Sequence, residues 1–152
     1  MRGQLVERTE HAAMLAELGR VSGDVTLAEM QGMTAELGEA IARMAEEELE
    51  AGRLGDARVM LEGLVVTNHR DADAWSLLSV AHRRLGQPLA ARFCAEVAAR
   101  LSPLDPWVRL VRAESLLGVP ERRPEARDEL AALAPDGDVG PRARSLLAAL
   151  GE

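Results

Sequence analysis

Three histidines, one cysteine and two groups of polar residues are the side chains of this sequence that could carry catalytic or metal chemistry. His11, His69 and His82 lie too far apart to form a local ligand set. No HExxH, Cys-x-x-Cys, Gly-x-Ser-x-Gly or phosphate-binding loop occurs. Asn68, His69, Asp71 and Asp73 have the composition of a metal site, yet an inter-element turn followed by a helix cap needs the same residue types. Cys94 stands in an alanine-rich helical run, where a lone thiol serves as a small buried hydrophobe, so neither a disulfide nor zinc is implied. Glu46, Glu47, Glu48 and Glu50 form an acidic run whose default reading is a solvated helix face. The chain therefore reads as a binding protein, with no catalytic residue, metal or cofactor expected.

The elements that would position a binding surface are set by a repeat. Gly52 and Ala57 recur as Gly86 and Ala91, a shift of 34 residues in each case. That period belongs to stacked helical hairpins, which bury little when alone and join into a superhelix with a concave face. The expectation is an all-α fold: three tandem tetratricopeptide-like hairpins in a right-handed superhelix, with an N-terminal helix and a C-terminal capping helix. Composition agrees, because Ala, Leu, Glu and Arg dominate and aromatic residues make up only 2% of the chain, leaving few candidates for strands. A single domain of 152 residues is expected, with an extension over residues 1–33, repeats over 34–69, 71–103 and 105–134, and a cap over 141–150.

The charge pattern removes some partners. The net charge is −7, and through Asp56 there are 12 acids against 5 arginines, so all the excess lies in the N-terminal part. Without a basic stripe the chain is a poor nucleic-acid binder, since phosphate neutralisation supplies most of that affinity. No segment approaches the ~20 apolar residues of a membrane span, and the first 20 residues lack the apolar run of a signal sequence. A soluble cytoplasmic protein without direct membrane insertion is expected.

Apolar spacing predicts a first helix over residues 4–18, a turn at Gly23 and Asp24, a short helical turn over 26–30, and a break at Gly32 before Thr34 caps a long helix. Gly52 closes that helix and Asp56 is expected to cap the next one. Asp71 or Asp73 caps the following helix, Gly86 turns it, and Pro88 begins its partner, which Pro103 ends. Asp105 and Pro106 open the third pair. Its turn over 118–123 is irregular, its second helix is expected over 125–133, and Pro141 starts the last helix, with Leu146, Leu147 and Leu150.

Trp75, Leu78, Gly86, Ala91, Ala95, Ala98 and Pro103 resemble the tetratricopeptide pattern, with Ser79 and His82 in place of its usual glycine and tyrosine. A narrower resemblance is carried by the Gly-bounded segment 23–32, by Glu50-Ala51-Gly52-Arg53 and by the junction from Leu64 to Asp71. Leu85-Gly86-Gln87, Asp105-Pro106 and the run from Ala113 to Leu117 extend it. Over residues 23–133 the chain is similar to the class II chaperones of type III secretion systems. That resemblance implies a cytoplasmic chaperone that holds hydrophobic secreted translocator proteins, through an extended segment, in its concave groove before export. A general repeat scaffold for assembling protein complexes is the alternative. Family members usually carry aromatic residues in the first-repeat helix where this chain has Glu46 and Leu49, which implies a groove poorer in aromatics and richer in charge.

Repeat geometry places Ala42, Glu46 and Leu49 of the first repeat, Ser76, Val80 and Arg83 of the second, and Leu110, Glu114 and Leu117 of the third on the groove. Apolar members would supply affinity there and charges would fix register. The stripe Leu5, Ala12, Leu15 and Leu18 is left either for a homodimer arm or for capping the first repeat.

Overall fold

The computed structural model describes residue 32 and residues 34–151; the helix expected over 4–18, the turn over 26–30 and the stripe Leu5, Ala12, Leu15 and Leu18 lie outside the described residues. Among the described residues there are seven α-helices, one 3-10 turn and no strand. The helices are α1 (Ala35–Glu50), α2 (Leu54–Thr67), α3 (Ala72–Arg84), α4 (Pro88–Leu101), α5 (Pro106–Leu117), α6 (Arg123–Leu133) and α7 (Gly140–Ala149), with the 3-10 turn Pro120–Arg122 before α6.

Local chemistry sets most of these boundaries. Thr34 Oγ1 accepts from Leu37 N at 3.2 Å, Asp71 Oδ1 from Ala74 N at 2.9 Å, and Asp105 Oδ1 from Trp107 N at 2.8 Å, so each odd-numbered helix from α1 to α5 begins on a side-chain cap. The first two hairpins turn in the same way. Gly52 (φ 79°) and Gly86 (φ 75°) take the left-handed conformation. Gly52 N then bonds Leu49 O and Arg53 N bonds Glu48 O, as Gly86 N bonds Arg83 O and Gln87 N bonds His82 O. Both turns satisfy carbonyls that the helix end would leave unpaired.

The third turn cannot copy them. The position 34 beyond Gly86 is Pro120, whose ring forbids positive φ, and Gly118 comes two residues early with φ −73°. The chain runs instead through the 3-10 turn directly into α6, which begins at Arg123 rather than at 125. A second departure is at Asp56. It does not cap α2: the helix starts at Leu54 with Arg53 at its N-cap, and Asp56 lies in the first turn, where a carboxylate faces the positive helix end. Arg53 N is already used in the glycine turn, and its guanidinium pairs with Glu48, Nη2 to Oε1 at 2.9 Å.

Each helix packs on the next in sequence, and α3 also touches α1 and α5. The odd-numbered helices α1, α3 and α5 thus form one layer and their partners a second. One core joins the first two hairpins around Leu61, Leu64, Leu78 and Ala81; another, around Leu110, Leu130, Leu133 and Ala143, is covered by Leu146, Leu147 and Leu150. Small residues let these helices approach closely. Ala45, Ala57, Ala74, Ala81, Ala95, Ala98, Ala113, Ala126 and Ala143 are fully buried. Gly140 is constrained too, because a Cβ there would meet Ala134 O at 2.6 Å. Ser79 fits its interface by donating across the hairpin to Ala91 O at 2.6 Å. Cys94 lies in the first core, where burial pushes its thiol up to about 11 and keeps it un-ionised.

Candidate functional site

The inner layer opens into a cleft of about 580 Å³ lined, among the described residues, by α1, α3 and α5. Glu39, Ala42, Arg43 and Glu46 come from α1, Asp73 and Leu77 from α3, and Trp107 from α5. The repeat builds this site, since Glu39, Asp73 and Trp107 stand 34 residues apart and occupy one register position on three successive helices. Leu77, 7% exposed, is the apolar floor, and Trp107, 36% exposed, presents its indole.

Three carboxylates and one guanidinium share the cleft, and among the described residues none of Glu39, Glu46 and Asp73 is ion-paired. Partial burial, and then the carboxylates of Asp105 and Asp71, hold the Asp73 carboxyl above the usual range. The cleft is thus a region of negative potential beside apolar surface.

Further along the inner layer the charges are neutralised. Arg83 Nη2 lies 2.9 Å from Glu114 Oε2, and Arg142 Nε of α7 lies 2.9 Å from Glu114 Oε1. Glu114 therefore holds the terminal helix to α5 while also contacting α3. Arg84 Nη1 donates to Leu49 O at 2.8 Å and ties α3 to the end of α1.

Of the nine groove positions expected from sequence, Ala42 and Glu46 line the cleft, and Arg83 and Glu114 form the ion pair beyond it. Leu49, Ser76 and Leu110 are buried at 5%, 0% and 2% exposure and do not line the cleft. Val80 and Leu117 pack, partly buried, against the two cores. The reason lies in the layer. With α1 and α5 flanking α3, only Asp73 and Leu77 of that helix reach the cleft. Glu39, Arg43, Asp73, Leu77 and Trp107 were missed, although applying the 34-residue shift backwards from Trp107 would have found Asp73 and Glu39. One aromatic side chain lines the cleft among the described residues, Trp107 from the third hairpin.

Ser76 Oγ is fully buried and has no hydrogen-bond partner among the described residues. Ser76→Ala is expected to stabilise the fold by about 1 kcal/mol, because it removes an unsatisfied hydroxyl without removing a bond. Urea unfolding checks this, and a lower midpoint for the variant would mean that the hydroxyl has a partner in solution.

The metal-like residues have structural duties. Asn68 Oδ1 accepts from Arg70 N at 3.1 Å, Asp71 caps α3, and His69 O accepts from Trp75 Nε1 at 2.9 Å. Trp75 also meets Phe93 edge-on, with ring centroids 6.2 Å apart, so it pins the junction between hairpins. No group of three or more metal-ligating side chains occurs among the described residues.

No family model matches the chain, and no curated protein matches it by sequence. Its fold does match solved structures. The Yersinia enterocolitica type III secretion translocator chaperone SycD is 21% identical with a TM-score of 0.71, covering 82% of this chain and 98% of its own. A type III secretion complex from Aeromonas hydrophila gives 20% identity and a TM-score of 0.75, over 90% of this chain and 95% of that one. PcrH of Pseudomonas aeruginosa, in complex with the chaperone binding region of PopD, gives 21% and 0.65, over 79% and 95%. At these identities the likeness establishes the helical-repeat fold.

Proposed function

We propose that this chain is a cytoplasmic chaperone of type III secretion that holds a hydrophobic translocator through the concave face of its repeats before export. The observation that carries the reading is the in-register cleft on the inner layer, with Leu77 and Trp107 presented beside charged rims. The fold likeness supports it, because SycD and PcrH were solved with translocator segments, a peptide of YopD for the first and the chaperone binding regions of PopD and PopB for the second. No helix among the described residues is long and apolar enough to cross a membrane.

The role is sequestration rather than catalysis. A translocator that must later enter a membrane exposes apolar surface that would aggregate in water, and occupancy of the cleft by one extended segment keeps that surface from self-association. Release needs no nucleotide if the secretion machinery competes for the same segment. SycD also occurs in an alternative dimer, and a homodimer through Leu5, Ala12, Leu15 and Leu18 belongs to the same proposal.

Co-expression with hydrophobic secreted proteins encoded beside this chain, followed by size-exclusion chromatography, tests the reading. A soluble complex with a partner that is insoluble alone is expected. Capture of an already soluble, folded partner would favour a general repeat scaffold, and no complex with any neighbour-encoded protein would defeat the chaperone reading.

A further inference from the structure

Chaperoning through the cleft leaves open what kind of segment the cleft selects, and its charge answers this. Among the described residues its lining holds three carboxylates, Glu39, Glu46 and Asp73, against one guanidinium, Arg43, and none of the three is ion-paired. Glu114, the acid of α5, is by contrast held by two arginines. The fold thus neutralises one end of the groove with its own residues and leaves the other end negative. Resting on the translocator-holding reading, we infer that the cleft selects an extended client segment with an arginine or lysine next to an apolar side chain. The apolar side chain sits on Leu77 and Trp107, and the cation sits among Glu39, Glu46 and Asp73.

Three features point to that occupant. A partly exposed indole edging a carboxylate cluster attracts a cation through its ring face as well as through the acids, and a guanidinium suits both contacts. Partial burial, and then the charges of Asp105 and Asp71, raise the Asp73 carboxyl, so a ligand cation at this position offsets both. A volume of about 580 Å³ admits a few side chains rather than the face of a folded domain. An acidic segment would meet like charge, so the cleft discriminates by repulsion as well as attraction.

A phage-displayed library of short linear peptides, selected on the full chain, tests the inference. Selected sequences should place Arg or Lys next to an apolar residue. Replacing that cation by citrulline in the best synthetic peptide should weaken binding roughly tenfold by fluorescence anisotropy. The preference should vanish in the triple variant Glu39→Gln, Glu46→Gln, Asp73→Asn, whose circular dichroism should match the parent and whose melting should not fall, because these side chains bear no ion pair among the described residues. A consensus that is apolar without a cation, and whose binding Trp107→Ala abolishes, would overturn the charge selection and leave the chaperone reading standing. A cation preference that survives in the triple variant would place the site elsewhere and overturn the inference. Failure to select any peptide, with a co-expressed client still held in soluble complex, would overturn the inference and leave the chaperone reading standing.

Discussion

Leu110→Asp is expected to unfold the third hairpin and the terminal helix, with loss of α5 to α7 helicity, rather than simply to weaken binding. Leu110 is 2% exposed and packs with Ala113, Leu130, Leu133 and Ala143. Placing a carboxylate there forces either its protonation or the opening of that core, and a cost of several kcal/mol rivals the whole stability of a domain, about 5–15 kcal/mol. Repeat stacks couple mainly to nearest neighbours, so the first core, from α1 to α4, should survive. Circular dichroism should show a partial loss of helix, and limited proteolysis should cut beyond residue 102 while sparing the N-terminal hairpins. If binding were lost with helicity and melting unchanged, Leu110 would be a groove-wall residue and the core described here would be wrong.

That contrast marks where sequence reasoning stopped. Helix caps, glycine turns and the 34-residue period are local, so Thr34, Gly52, Asp71, Gly86 and Asp105 could be placed from their neighbours alone. Asp56 is not the cap because the glycine turn consumes the next residue and carries the chain straight into α2, so the N-cap is Arg53, three residues earlier. The irregular third turn was visible in spacing, but its 3-10 geometry follows from Pro120 occupying the position that needs positive φ. The groove was only partly legible for a different reason. Helical spacing groups Ala42, Glu46 and Leu49 on one side of α1, but neighbouring helices decide how much of that side stays open, and Leu49 is covered. The same holds for Ser76, on a helix flanked on both sides.

Ion pairs shape the groove in a way that residue types alone do not reveal. Glu114 and Glu46 occupy related positions on α5 and α1, yet only Glu114 meets arginines, one from α3 and one from α7. The terminal helix therefore does more than cover the second core: through Arg142 it also quenches charge at one end of the inner layer. A half-buried carboxylate with two guanidinium partners gains from both, whereas the exposed acids of the cleft remain available to a ligand.

Trp107→Ala should have the largest effect on client capture of any single change in the cleft, weakening binding by about thirtyfold or more, which corresponds to about 2 kcal/mol. The indole is the largest apolar surface in the site and sits at its edge with 36% exposure, so a bound segment buries area that folding has left open. The same exposure keeps the fold safe. Truncation opens no sealed cavity, the Asp105 cap bonds the backbone amide rather than the ring, and the core leucines of α5 point elsewhere. Melting should therefore shift by only a few degrees, and Trp107→Phe should retain part of the affinity by keeping an aromatic ring in the cleft lining. Titration calorimetry with a co-purified client, run beside thermal unfolding of each variant, separates binding from stability. Wild-type affinity in the alanine variant would put the client outside this cleft, because no other aromatic side chain lines it.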